Sequence, residues 1–143
     1  MFYDALGSML GQAGEALSRQ NEASPDDARA QRDRRQLALL LRRTRAIWPE
    51  LFSTLGGEIE VLEGALELAN ARLAELGLEP LALSERTDPL ARYRETNRAL
   101  DRAIRKLTTT SKGSEAALCA IRARLAEAAE IQGRLIDQML AIR

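Results

Sequence analysis

The sequence predicts an all-α protein: a long antiparallel two-helix coiled-coil hairpin preceded by a short N-terminal helix. Three observations carry this. Leu55, Ile59, Leu62, Leu66, Ala69, Leu73 and Leu76 recur at alternating steps of four and three, the spacing of a coiled-coil seam. Leu90, Tyr93, Asn97, Leu100, Ile104 and Leu107 repeat the pattern further along. Paired outward from the loop between them, facing positions of the two seams have numbers that sum to 166: Leu76 with Leu90, Leu66 with Leu100, Leu62 with Ile104.

Residues 1–143 read as a single helical domain. Residues 1–20 form an amphipathic helix with Phe2, Leu6, Met9, Leu10, Ala13 and Leu17 on one side. After the break at Asn21–Ser24, Ser24-Pro25-Asp26-Asp27 starts a first arm over 25–76. Serine caps, proline suits the first helical position, and the carboxylates meet the positive end of the dipole. Its seam runs back through Leu51, Trp48, Thr44, Leu41 and Leu37, with a four-residue stutter. Pro49 is expected to kink the arm and Gly56-Gly57 to weaken it.

Gly77 and Pro80 end this arm, and 77–88 connect it to the next, with Leu78, Leu81 and Leu83 tucked back. Asp88 caps and Pro89 opens a second arm over 89–142. Its phase survives the poor helix formers of 108–114 and continues through Ser114, Leu118, Ile121, Leu125, Ala128, Gln132, Leu135, Met139 and Ile142. By the same sum, Pro49–Gly57 and Thr108–Ser114 share one height, which suggests a common waist. The alternative is a four-helix bundle with segments 25–54, 58–76, 89–107 and 114–142.

Charge supports the pairing. Between Glu50 and Glu79 stand seven acids and Arg72, facing six bases over 92–106. Opposite flanking charges select register, and Asn97 opposite Ala69 fits a polar seam residue that fixes alignment. Net charge is zero, with nineteen arginines and two lysines, the mark of a GC-rich bacterial genome.

Composition narrows the function. Without histidine, the commonest general base and metal ligand are missing, and the glutamates cannot form the Glu-x-x-His pairs of di-iron bundles. Gly7, Gly11 and Gly14 follow no strand and make no phosphate loop. Cys119, beside Leu118, reads as a packed small hydrophobe. No catalytic, metal or cofactor residues are assigned, and no enzyme activity is expected. The longest apolar run, Leu37–Leu41, is too short to span a bilayer, and the first residues lack a secretory pattern, so a cytoplasmic location is expected.

Two stretches bear on partners. Arg29, Arg32, Arg34, Arg35, Arg42, Arg43 and Arg45 stand against Asp33 alone. Internal neutralisation by the acids of 1–28 is the expected arrangement. Contact with nucleic acid or an anionic surface through Arg32, Arg35 and Arg42 is the alternative. Residues 128–142 carry an apolar stripe whose Ile131, Leu135, Met139 and Ile142 are the expected partner-binding residues. The N-terminal helix is its occupant at rest, displaced by a partner helix in the helix-in-groove mode. The protein therefore reads as an adaptor, chaperone or assembly subunit that binds a protein partner or a second copy of itself, as in a homodimer.

Within that stripe, Gly133-Arg134-Leu135-Ile136-Asp137 resembles a Gly-x-Leu-Ile-acid element near the C-terminus of flagellar export chaperones for hook-associated proteins. The likeness covers five residues, with Ala129 and Gln132 where asparagines would precede the glycine. It implies a helical chaperone whose C-terminal part holds its client.

Overall fold

The computed structural model describes residues 2–20, 28–84, 88–110 and 113–142. They are almost entirely helical: α1 (Phe2–Gln20), α2 (Ala28–Glu75), α3 (Pro89–Thr110) and α4 (Glu115–Ala141). The chain divides into two compact units. Unit 1 comprises residues 1–49 and 136–143, and unit 2 comprises residues 50–135. The proposed start at Ser24–Asp27 and the break at Asn21–Ser24 lie outside the described residues.

Helix α2 is unbroken from Ala28 to Glu75, through Pro49 and the Gly56-Gly57 pair. The first reversal of the four-helix alternative is therefore absent. Pro49 removes the amide that would bond the Arg45 carbonyl, at a position where both residues are exposed to water. The seam from Leu55 to Leu73 is buried throughout, joined by Glu58 and Ala65. Further back the expected seam is corrected. Leu37, Thr44 and Leu51 are buried, but Trp48 is 52% exposed and Leu41 48% exposed, and Ile47 is fully buried instead. The buried positions step by four three times running, Ile47–Leu51–Leu55–Ile59. At 100° per residue each such step advances the face by about 40°, so a strict 3-4 count overshoots by one residue here.

The end of α2 is a Schellman motif. Gly77, at φ +70°, donates its amide to the Ala74 carbonyl, and the Leu78 amide reaches Leu73, both at 2.9 Å. The chain then leaves helix but stays attached. Asn70 brackets Leu81 through both side-chain atoms (2.9 and 2.8 Å), and the Ser84 amide and hydroxyl bond Glu95. Leu78, Leu81 and Leu83 are half-buried, as their tucking back requires. Asp88 caps α3 through the amides of Leu90 and Ala91.

The direction of α3 is the main correction. Near the start of α3, Arg92 grips Glu63 with two bonds (2.5 and 2.8 Å), and the Tyr93 hydroxyl bonds Glu58. Past the end of α3, Arg72 donates to the Gly113 carbonyl at 3.2 Å. Higher numbers on α3 thus meet higher numbers on α2, so the two helices run parallel, and the antiparallel 166 register does not hold. In that register Gly113 would sit at the height of Ser53, nineteen residues and about 28 Å of helix from Arg72. The common waist falls with it.

The second arm is also two helices. It breaks between Thr110 and Glu115, where Gly113 adopts φ +111° in a turn. The continuous second arm expected from the unbroken phase is thereby corrected; from Ser114 onward, Ser114, Ile121, Ala128 and Leu135 are buried at heptad spacing. Helix α4 runs back along α2, since Gln132 donates to Glu58 at 3.4 Å. Cys119, two positions from Ile121 and hence on the far side of α4, is exposed rather than packed. In unit 2, then, α2 and α3 run parallel and α4 runs against both. Asn97 does not act as an alignment device opposite Ala69, because its amide bonds the Tyr93 carbonyl of its own helix at 2.9 Å.

Candidate functional site

Unit 1 holds an open cleft. Its core forms where Tyr3, Leu6 and Ala13 of α1 meet Ala30, Leu37, Thr44 and Ile47 of α2. The rings of Phe2 and Tyr3 pack edge to face, 5.3 Å apart. The end of α4 is fastened to the unit by the Arg43 guanidinium, which donates from Nε to the Ile142 carbonyl at 3.1 Å. A cation there also faces the negative end of the α4 dipole.

At the edge of this core, α1 is too small to fill the space beside α2. Ala13 and Ala16 present only methyl groups, and Gln12 is polar. They stand against Leu37, Leu39 and Leu40 and leave a groove of about 620 Å³. Met9 from α1 and Met139 from α4 border it, with Gln36, Asp33 and Arg43 as its polar members. Met9 is 43% exposed and Met139 is half-buried. Two flexible, polarisable thioethers on an open apolar cleft can conform to side chains of varied shape.

The four expected partner-binding residues divide between the two units. Met139 lines the groove, and Ile142 is half-buried in the same unit. Ile131 and Leu135 belong to unit 2, where Ile131 is half-buried and Leu135, at 1% exposure, is core. Within the stripe, Ala128 and Leu135 are buried at heptad spacing as ordinary packing. Helix α1 supplies a wall of the groove, and its Tyr3 and Leu6 are buried.

Arg32, Arg35 and Arg42 are all exposed on α2 and form no ion pair among the described residues. Of the acids expected to neutralise them, Glu22, Asp26 and Asp27 lie outside the described residues. Sequence reasoning missed Leu39 and Leu40 as groove walls. The available signal was the alanine pair on α1 opposite the leucine run of α2, a mismatch in side-chain volume that predicts incomplete filling.

A polar cluster in unit 2 is the other notable chemical feature. Glu58, 1% exposed, bonds Tyr93 and accepts from Gln132. Burial, then the Glu58 charge and its hydrogen bond, push the Tyr93 phenol up to about 12. The groups bond one another, as buried polar groups must. Among the described residues no group of three acids or cysteines is placed to hold a metal ion. No helix there is long and apolar enough to cross a membrane. No family model, curated protein or solved structure matches this chain.

Proposed function

We propose that this protein is a non-enzymatic helical interaction protein, an adaptor, chaperone or assembly subunit, that takes up an amphipathic helix of a protein partner. The observation that carries this reading is the unit 1 groove, apolar, open to water and bordered by Met9 and Met139. An amphipathic helix seats its apolar residues at i, i+3 or i+4, and i+7 in such a cleft. Each leucine-sized side chain fully transferred from water contributes roughly 1.5–3 kcal/mol, so several must be seated together to outweigh the cost of association. The absence of histidine, the commonest general base, supports a role without catalysis.

The test is titration calorimetry of the full chain with a synthetic amphipathic peptide bearing leucines on one helical face. Binding is expected, and Met139→Asp should weaken it by about a hundredfold, since it sets a charge in the apolar cleft. Met139 is half-buried near the end of α4, so the variant is expected to keep its circular dichroism spectrum. Unaltered affinity in a folded Met139→Asp variant would place the binding surface elsewhere.

A further inference from the structure

We infer that the helix taken up by the groove is acidic beside its apolar stripe, and that Arg32, Arg35 and Arg42 recognise it. This rests on the groove reading above and adds the chemical class of the partner. Leu39 is a wall of the groove, and Gln36 lines it as well. On α2, Arg35 stands four residues before Leu39 and Arg42 three after it, while Arg32 stands four before Gln36. Residues three and four apart on a helix are surface neighbours, so the three guanidiniums form a row along one rim. The row extends over ten residues, about 15 Å, which matches nearly three turns of a docked helix.

These cations are available. All three are exposed and unpaired among the described residues, whereas neighbouring Arg43 is engaged with the Ile142 carbonyl. The acid of the lining, Asp33, shares the helix row of Leu37 and Leu40, around the helix from the arginines. A docked helix thus meets an apolar floor and, along one edge, positive charge. Guanidinium groups suit carboxylates because their planar donors can grip both oxygens. Charges on a rim steer encounter and set orientation, so the same row would fix which way round the helix lies. A nucleic-acid strand or a bilayer would use the arginines but has no need of a narrow apolar groove beside them.

The experiment compares two synthetic peptides with the same leucine stripe, one flanked by glutamates and the other by lysines, titrated into the full chain. The glutamate peptide is expected to bind at least about tenfold tighter, a preference that fades as salt is raised. In the Arg35→Glu/Arg42→Glu variant the order should reverse. In Arg35→Gln/Arg42→Gln the preference should fall to the small part that Arg32 alone supplies, with the melting temperature unchanged. Equal binding of both peptides, each abolished by Met139→Asp, would leave the groove reading intact and overturn this inference. Failure of both peptides to bind would overturn the groove reading and this inference with it. A melting temperature lowered by the glutamine pair as much as by the glutamate pair would show the row is engaged within the chain, again overturning it. So would equal peptide binding accompanied by arginine-dependent binding to duplex DNA or to vesicles rich in phosphatidylglycerol.

Discussion

Leu107→Ala is expected to lower the unfolding free energy by about 3 kcal/mol, within the usual 2–5 kcal/mol for emptying a filled core site. Leu107 has no exposed surface and lies near the end of α3 in unit 2. Its loss leaves a cavity among ordered side chains, which relax only in part. The control is Leu68→Ala on α2. That leucine is 40% exposed, and its truncation should change stability by no more than about 0.5 kcal/mol. Urea titration followed by circular dichroism measures both. Similar small losses at the two sites would mean that α3 is not packed as described.

The second large effect is at Glu58. Glu58→Ala removes the buried acceptor that Tyr93 and the half-buried Gln132 share, and is expected to cost about 2–4 kcal/mol. The same cluster gives a pH signature. Because the folded state holds the Tyr93 proton up to about 12 while an unfolded tyrosine releases it near 10, the unfolded state binds fewer protons in between. This contribution to stability is therefore complete below about pH 10 and is lost as pH rises towards 12. In Tyr93→Phe the fall in that window should flatten relative to the parent protein, as read by urea midpoints across the range. Identical profiles would remove Tyr93 from the core cluster.

The helical class and most buried positions could be read directly from spacing. Leu55 to Leu73, Tyr93, Leu100, Leu107, Ile121, Ala128 and Leu135 are all buried where the heptads place them. Direction could not, for a physical reason. A 3-4 repeat read backwards is a 4-3 repeat, so two such seams always admit both senses. The same residues that sum to 166 also pair at a constant difference of 31: Ile59 with Leu90, Leu62 with Tyr93, Leu66 with Asn97, Ala69 with Leu100. That parallel pairing agrees with the Arg92–Glu63 and Tyr93–Glu58 contacts. Acids on α2 and bases on α3 complement each other in either sense, so charge did not arbitrate. The connection did carry a signal. Twelve residues are more than a hairpin needs, and extended chain at about 3.3 Å per residue reaches far enough to return along α2 before α3 begins.

The groove was less legible than the fold. Met139 was identified through its place in an apolar stripe, but its companions in that stripe, Ile131 and Leu135, are part of another unit's packing. Periodicity marks which residues leave water without saying what covers them. Met9, by contrast, looked like a core position of α1 and is exposed on the groove edge. Whether a periodic residue is core or cleft depends on the volume of what faces it, and here that is two alanines.

Methyl NMR of the methionines tests the central claim most directly. The chain has three methionines, of which Met9 and Met139 border the groove from different helices. Selective ¹³C labelling of their methyl groups gives two reporters inside the proposed site and needs no mutation. On titration with the glutamate-flanked amphipathic peptide, both signals should shift together and saturate at one peptide per chain. If the peptide binds while the Met9 and Met139 methyl signals stay in place, the groove is not where this protein holds a helix.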